Sequence, residues 1–270
     1  MALSDTAYSC CIFRSLFPEV SGDIYAKEWI NEESMQNAKK YTDHWLAEVS
    51  RNEDIAVSMR CSYFLNQLKQ AVEKDAIGSF FNIGAGFTSY PLLLSNKIDA
   101  FEFDLAEVIE VKKQRLDEII KRHSGNILTI PSLIAGDITD IRTLENALSR
   151  IQDKPVFYIM EGLSYYLSFD NFKAVFALLK DKMAIGEKIA IDFWSNDYIN
   201  APVFLKQAQF FGETLDISDR YLFLDEEDLN NIDGFEITDT SSALLEASKR
   251  GLDIQNMEFL PENYCVLTRI

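Results

Sequence analysis

Apolar and polar residues follow two different periods along this chain, and the change falls near residue 77. Up to about residue 76 the apolar residues recur at helical spacing, as within 55–72 at Met59, Tyr63, Leu68 and Val72. From residue 77 onward, short apolar runs typical of strands alternate with amphipathic segments typical of helices. The pattern therefore predicts a helical cap, or lid, over residues 1–76 and one compact α/β unit over residues 77–270.

The alternation after residue 77 predicts a specific set of elements. The predicted strands cover 79–84, 98–104, 127–135, 155–160, 187–194, 235–239 and 264–270. The predicted helices cover 87–95, 105–123, 141–151, 168–183 and 199–211, and a short helix follows a cap at Asp225. Short connections between alternating strands and helices imply parallel neighbours. We therefore expect a Rossmann-like, seven-stranded, mainly parallel sheet with helices on both faces and an antiparallel edge.

Length and charge narrow the function classes. The chain has 270 residues, 47% of them hydrophobic, which is enough for one α/β domain with a cap. A net charge of -17 disfavours nucleic acids, because an acidic surface repels phosphate backbones. No apolar run reaches the ~18 residues of a membrane span, and the N-terminus lacks a signal-peptide pattern. We expect a cytoplasmic monomer or homodimer that acts on a small molecule and binds neither nucleic acid nor membrane.

Cysteine and histidine positions do not indicate a metal site. The cysteines are Cys10, Cys11, Cys61 and Cys265. They show neither Cys-x-x-Cys nor Cys/His spacing, so free thiols and no bound zinc are expected. The two histidines, His44 and His123, are interpreted as packed or surface residues, with His123 as a charge at a helix C-terminus.

A Gly-x-Gly turn, Gly84-Ala85-Gly86, follows the first predicted strand. Glycines there allow the backbone to approach a ligand closely, with amides pointing at it. Dinucleotide-binding turns carry a third Gly three residues later, whereas this chain has Ser89. The turn therefore argues against NAD and FAD and suits a nucleoside cofactor without phosphates, such as S-adenosyl-L-methionine (SAM). An ordinary strand–helix turn is the alternative interpretation.

An acid ends the second predicted strand. Asp104 lies 20 residues after Gly84, about the spacing at which a carboxylate reaches a ribose. Only one of Glu102 and Asp104 is expected to reach the sugar, and Asp104 is the better candidate because it stands at the strand end. The alternative for Glu102 is a solvated carboxylate.

Further acids follow the third and fourth predicted strands. Asp137 can accept a hydrogen bond from the adenine amino group with Ile138 against the ring; the alternative is that Asp137 or Thr139 simply caps the next helix. Glu161 is delivered to the carboxyl edge of the sheet, where ligands of such folds bind, and can pair with an ammonium group. Tyr165 and Tyr166 place a ring face or a hydroxyl nearby, although one of them is expected to serve packing alone.

Together these residues resemble the leucine carboxyl methyltransferase-like family, class I SAM-dependent enzymes that include O-methyltransferases of polyketide and peptide natural products. The resemblance covers most of residues 20–195 and rests on the blocks 83–86, 101–108, 161–167 and 60–64. It implies the following contacts with SAM: Arg60 with the carboxylate, Gly84, Ala85 and Gly86 with the methionine part, Asp104 and Leu105 with the ribose, Asp137 and Ile138 with the adenine, and Glu161 with the amino group. The chain departs from the family at Thr88-Ser89 and Leu65-Asn66, where an Asp is usual, so the acceptor side differs.

The implied reaction is an in-line displacement at a sulfonium methyl group, in which the protein aligns the reactants and excludes water. Neither histidine is convincingly placed as a base, which favours an anionic acceptor or assistance by a Tyr or Asp of the cap. The candidate catalytic residues are Tyr165, Tyr166 and Tyr8, with Tyr25 and Tyr63 as further tyrosines of the cap.

The function predicted from the sequence is methyl transfer from SAM to a small molecule, in polyketide or nonribosomal peptide metabolism. Two alternatives remain open. One is a SAM cyclase that forms azetidine-2-carboxylate and methylthioadenosine, and the other is a SAM-binding protein without catalytic activity.

Overall fold

A computed structural model describes residues 3–74, 77–152, 154–210 and 221–270. Within these ranges the strands are β1 (Ser79–Ile83), β2 (Asp99–Asp104), β3 (Ser132–Ala135), β4 (Val156–Met160), β5 (Lys188–Trp194), β6 (Phe235–Ser242) and β7 (Glu262–Arg269). The helices are α1 (Leu3–Leu16), α2 (Pro18–Ser21), α3 (Glu32–Glu48), α4 (Glu53–Glu73), α5 (Ala106–Arg122), α6 (Ile141–Leu148), α7 (Phe169–Lys182), α8 (Pro202–Phe210), α9 (Glu226–Asn230) and α10 (Ala243–Lys249).

The strands form one seven-stranded sheet in the order β3-β2-β1-β4-β5-β7-β6. The pairs among β1 to β5 are all parallel, so their carboxyl ends meet at one edge. β7 lies between β5 and the edge strand β6 and is antiparallel to both. The Rossmann-like, mainly parallel sheet is confirmed, and the antiparallel strand is the last but one across the sheet, not the edge strand itself.

Alternating side chains of the central strands serve two separate cores. Phe81 of β1 and Tyr158 of β4 pack with α6 and α7 on one face of the sheet. Their neighbours Phe80 and Phe157 pack on the opposite face with α4 and α10. Burial on both faces explains why these strands are continuous apolar runs and do not alternate with polar residues.

The helices of residues 1–76, which we call the leader, contribute to the core of the sheet as well as to the cap. Phe64 and Leu68 of α4 lie in the same buried cluster as Phe80 of β1, so α4 forms a layer of the α/β sandwich. α1 packs on α4 and α3 and reaches the carboxyl edge of the sheet. The division into a cap of 1–76 and a unit of 77–270 stays a prediction.

Several predicted boundaries shift for local reasons. The predicted strand 127–135 is reduced to β3, because Leu128 and Ile130 are exposed and Pro131 interrupts the run. The predicted helix 87–95 is a 3-10 turn over Tyr90–Leu93, and α10 was not predicted. Of the predicted helix 199–211, only α8 is observed, and residue 211 lies outside the described ranges.

Other predictions hold in detail. Asp225 caps α9 in a capping box with Asp228, and His123 ends α5. The four cysteines are free thiols. Among the described helices, we find none that combines the length and apolar character needed to cross a lipid bilayer.

Candidate active site

A cavity of about 410 Å³ lies where the parallel strands end. The carboxyl end of each parallel strand contributes to its lining, among others with Gly84 after β1, Asp104 at the end of β2, Asp137 after β3, Glu161 after β4 and Trp194 at the end of β5. α1 supplies further lining residues, so the leader and the sheet together enclose the site. A crevice at the carboxyl edge is the position where open α/β sheets bind ligands.

The glycine turn and Asp104 form one hydrogen-bonded unit. Asp104 accepts the N–H of Gly86 at 2.6 Å on one carboxylate oxygen and the N–H of Leu105 at 2.7 Å on the other. Burial raises the pKa of Asp104, and these two N–H donors oppose the increase. Gly84, Asp104 and Leu105 line the cavity, whereas Ala85 and Gly86 are not among its lining residues.

The interpretation of Glu102 as a solvated carboxylate is wrong. The side chain is fully buried and pairs with Lys112 of α5 at 2.9 Å. Lys112 also donates to the carbonyl oxygen of Ala85 at 3.4 Å and lies over the ring of Trp29. Residues two apart share a face of the strand, so Glu102 lies on the side of Asp104 but deeper, where it supports the glycine turn through Lys112.

Asp137 is an exposed residue of the loop after β3, and it does not cap the next helix. Thr139 donates its N–H and its hydroxyl to Asp137 Oδ1 at 2.8 and 2.7 Å. α6 is capped instead by Asp140, which accepts the N–H of Arg142. Ile138 is half-buried and lines the cavity with Asp137, as the adenine prediction requires.

Arg60 of α4 and Glu161 after β4 form a buried ion pair, with Nε 3.0 Å from Oε1. The hydroxyl of Tyr90, a fully buried residue, donates to Oε2 of the same carboxylate. Both oxygens of Glu161 therefore have protein donors. Sequence reasoning did not identify Tyr90, whose position two residues after Thr88 gives no indication of this contact.

Two more carboxylates share the Arg60 guanidinium. Its Nη1 lies 2.7 Å from Glu262 at the start of β7 and 3.4 Å from Asp192 of β5. Asp192 also accepts the N–H of Gly162 on both oxygens. Burial raises the pKa of Asp192 and of Glu262 although Arg60 opposes it, because one cation does not offset three buried acids.

The two predicted tyrosines after β4 differ in their surroundings. Tyr165 is buried, stacks on Trp194 with ring centroids 4.0 Å apart, and accepts a hydrogen bond from Arg60 at 3.2 Å. Burial raises the pKa of Tyr165 well above its ordinary value, so its hydroxyl is a donor, here to Glu262 at 3.4 Å. Tyr166 also lines the cavity but is 40% exposed.

The tyrosines predicted in the leader do not line the cavity. Tyr8 stacks on Phe87 with centroids 4.6 Å apart. Tyr25 packs against His123, and Tyr63 donates to Asp239 at the far side of the sheet. Of the three tyrosines predicted to be catalytic, Tyr165 and Tyr166 therefore line the cavity and Tyr8 does not, and their catalytic role stays a prediction.

A second buried arginine, Arg14 of α1, was missed by sequence reasoning. Its Nε lies 3.2 Å from Asp23 and its Nη2 donates to the carbonyl oxygen of Phe87 at 2.8 Å. Arg14 lines the cavity and joins α1 to the residue that follows the glycine turn. The sequence feature that could have indicated a buried arginine is the position of Arg14 directly after the apolar residues Ile12 and Phe13.

The residues at which the chain departs from the family stabilise the glycine turn internally. Thr88 donates to the carbonyl oxygen of Ala85 at 2.8 Å and accepts the side-chain N–H of Asn82 at 3.0 Å. Ser89 accepts the indole N–H of Trp29 at 2.8 Å. Both side chains are engaged within the protein: Thr88 holds the turn itself, and Ser89 joins it to Trp29.

Comparison with known proteins gives one family and a set of similar folds. The sequence model of the family described as leucine carboxyl methyltransferase matches residues 13–180, more than half of the chain. No curated protein sequence matches the chain.

The solved structures share the fold at low sequence identity. A DUF574 family protein from Streptomyces avermitilis MA-4680 has a TM-score of 0.68 at 12% identity, covering 94% of this chain and 100% of that one. A protein described as a candidate methyltransferase from Thermobifida fusca YX has a TM-score of 0.64 at 13% identity, covering 95% and 94%. The magnesium protoporphyrin IX methyltransferase of Synechocystis PCC 6803, solved with bound S-adenosyl-L-homocysteine (SAH), has a TM-score of 0.53 at 13% identity, covering 97% and 100%.

Proposed function

The chain belongs to the leucine carboxyl methyltransferase family and is a SAM-dependent methyltransferase, and on this premise we propose that it methylates a small molecule of natural-product metabolism. One observation carries the proposal. The cavity presents Gly84, Asp104, Asp137 and Glu161 in a row across the ends of four adjacent strands. Its volume of about 410 Å³ lies within the range of small-molecule sites.

The side chains at the strand ends suit the parts of SAM. Asp104 would hold the ribose hydroxyls, and Asp137 with Ile138 would hold the adenine, because β2 and β3 lie side by side. Glu161, on β4 at the other side of β1, would pair with the ammonium group. SAM would supply the electrophilic methyl group, and the chain supplies alignment and exclusion of water.

Arg14 and Arg60 are the two buried arginines of the cavity. Arg60 already faces three acids, whereas Arg14 pairs with Asp23 alone. We therefore assign the SAM carboxylate to Arg14 together with Arg60, since a carboxylate beside Arg60 alone would meet repulsion from Glu161, Asp192 and Glu262.

Isothermal titration of the full chain with SAM and SAH tests the proposal. We expect binding of both in the micromolar range that is usual for substrates of enzymes. Absence of binding by both would refute the proposed function. Incubation with SAM alone separates transfer from cyclisation, because release of methylthioadenosine without an acceptor would indicate the cyclase.

A further inference from the structure

The cavity extends beyond Glu161 to a second end over β5 and β7, which we call the acceptor end. Its polar side chains are Glu53 of α4, Gln207 of α8 and Glu262 of β7. Glu262 pairs in register with Trp194, and Leu260 donates its N–H to Glu53 at 3.0 Å. Phe204 of α8 lies in one buried cluster with Trp194 and Leu260, so the three elements meet here. Because Asp104 and Asp137 lie over β2 and β3 at the opposite side, the acceptor end is distinct from the proposed nucleoside site.

Oxygen atoms at the acceptor end lack hydrogen-bond donors. Oε2 of Glu262 and Oε1 of Gln207 are buried without a partner in the described part of the chain, and both residues are 2% exposed. The hydrogen bonds of Glu53, from Ser50 and from Leu260, both reach its Oε2. A buried acceptor without a donor is costly, so two such oxygens in one cavity, beside a Glu53 whose Oε1 receives neither of its two hydrogen bonds, indicate a ligand that brings donors.

The charge of the acceptor end is negative. Glu53, Glu161, Asp192 and Glu262 surround the single guanidinium of Arg60. The other cation of the cavity, Arg14, is already paired with Asp23. A ligand with a positive charge would offset this excess, whereas a carboxylate would increase it.

The apolar walls of this end also suit a cation. Trp45, Trp194, Phe13 and Tyr166 line the cavity beside the acids. Aromatic ring faces attract an ammonium group, most strongly where water is excluded. The indole N–H of Trp194 is a buried donor without a partner among the described residues, and an oxygen elsewhere on the ligand would satisfy it.

On the basis of the proposed function, we infer that the methyl acceptor is an amine that binds as its ammonium form between Glu53, Glu262 and Gln207. A primary ammonium offers three N–H donors and no acceptor, enough for the two buried oxygens without donors and for Oε1 of Glu53. An alcohol offers one donor, and a carboxylate offers none. This inference replaces the anionic acceptor that the absence of a suitable histidine favoured.

Methylation requires that the ammonium first lose a proton, and Glu53 is placed to take it. Burial and the neighbouring Glu262 raise the pKa of Glu53 to about 7, near the value that suits a proton acceptor at neutral pH. The freed nitrogen lone pair then forms the bond to the methyl carbon. The carbon–sulfur bond breaks with its electron pair left on sulfur, so the products are SAH, the methylated ammonium and a protonated Glu53.

Three probes of matched shape test the inference: 2-phenylethylamine, 2-phenylethanol and 3-phenylpropanoate. Their affinities are measured by titration calorimetry on the full chain saturated with SAH at pH 8. We expect the amine to bind at least about tenfold more tightly than the alcohol, and 3-phenylpropanoate to bind most weakly. Glu53→Gln and Glu262→Gln should each reduce the preference for the amine about tenfold, whereas the exposed control Glu236→Gln should not change it.

Equal responses to the three probes, absence of any response included, would overturn the inference. A preference for the amine that survives in both glutamine variants would overturn it as well. SAH binding, measured first on every variant, verifies that each is folded. If the unsubstituted chain binds SAH but shows no preference for the amine, only the acceptor class is wrong; if it binds neither SAM nor SAH, the proposed function itself fails.

Discussion

Arg60 and Glu161 lie 101 positions apart in the chain, yet they form a buried ion pair with Nε 3.0 Å from Oε1. The pair joins α4 of the leader to the end of β4, next to the glycine turn. Because Arg60 also faces Asp192 and Glu262, the stability of the fold and the charge of the cavity depend on the same guanidinium.

Removal of this guanidinium should strongly destabilise the protein. Arg60→Met leaves three buried carboxylates without their cation, and we expect a loss of about 3–5 kcal/mol in the free energy of unfolding. Urea denaturation followed by circular dichroism measures the loss. The control is Arg51→Met, which breaks the exposed pair with Glu258 and should cost less than about 1 kcal/mol. Similar losses in the two variants would contradict the role of the buried pair.

The Asp104 side chain should be required for SAM affinity. Asp104→Asn keeps the shape of the side chain but removes a charged acceptor, so we expect SAM to bind roughly tenfold more weakly. Titration calorimetry measures the change, with Glu107→Gln, an exposed acid of the next turn, as the control. Unchanged affinity in Asp104→Asn would remove this residue from the ribose site.

Glycine at position 84 should be required for steric as well as conformational reasons. Gly84 has φ +70, and an added Cβ would lie 2.6 Å from Leu163 Cδ2. Gly251 has φ +69 with nothing within 4 Å of the added atom, so Gly251→Ala measures the backbone strain alone. We expect Gly84→Ala to cost about 1–3 kcal/mol more than Gly251→Ala in thermal or urea unfolding.

The contact with Leu163 can be tested separately. Leu163→Ala removes the Cδ2 atom at 2.6 Å and leaves only Cβ of residue 163, at an ordinary contact distance of 3.5 Å, so the extra cost of Gly84→Ala should largely disappear. If the extra loss in the free energy of unfolding persists in the double variant, its cause is the backbone conformation of residue 84 and not the contact with Leu163.

The stability of the protein should fall between about pH 4.5 and pH 7 because of Glu53. Its pKa is raised from 4.5 to about 7, chiefly by burial and by Glu262. In that interval the unfolded chain has lost the proton while the folded chain retains it, so the free energy of unfolding decreases as pH rises. The contribution of Glu53 is on the order of 3 kcal/mol, and it is fully present below pH 4.5.

Glu53→Gln removes this titration and should flatten the dependence on pH. Urea denaturation at pH 5 and at pH 8 compares the two proteins. Part of the decrease in the free energy of unfolding with pH should remain in Glu53→Gln, because burial also raises the pKa of Asp192 and Glu262. If the free energy of unfolding of Glu53→Gln decreases with pH as steeply as that of the unsubstituted protein, the other acids account for the whole dependence on pH.

The order of strands and helices was largely predictable because it depends on local periods. Continuous apolar runs such as Val156–Met160 are buried on both faces, and an Asp such as Asp225 caps the helix that follows it. The boundaries near Pro91 and Pro131 were predicted less well, since a proline shortens an element without changing the apolar pattern around it.

The sequence by itself determined the α/β fold, the Gly84–Gly86 turn and the acids at the strand ends, because each is encoded within a few neighbouring residues. Only the tertiary structure decided how these groups are charged and partnered. Insertion of β7 between β5 and β6 brings Glu262 to Arg60 across 202 positions, and Lys112 makes Glu102 a buried acid and not a solvated one. Contacts at such separations leave no local pattern, since they arise from strand pairing and from the burial of side chains that meet only in the folded chain.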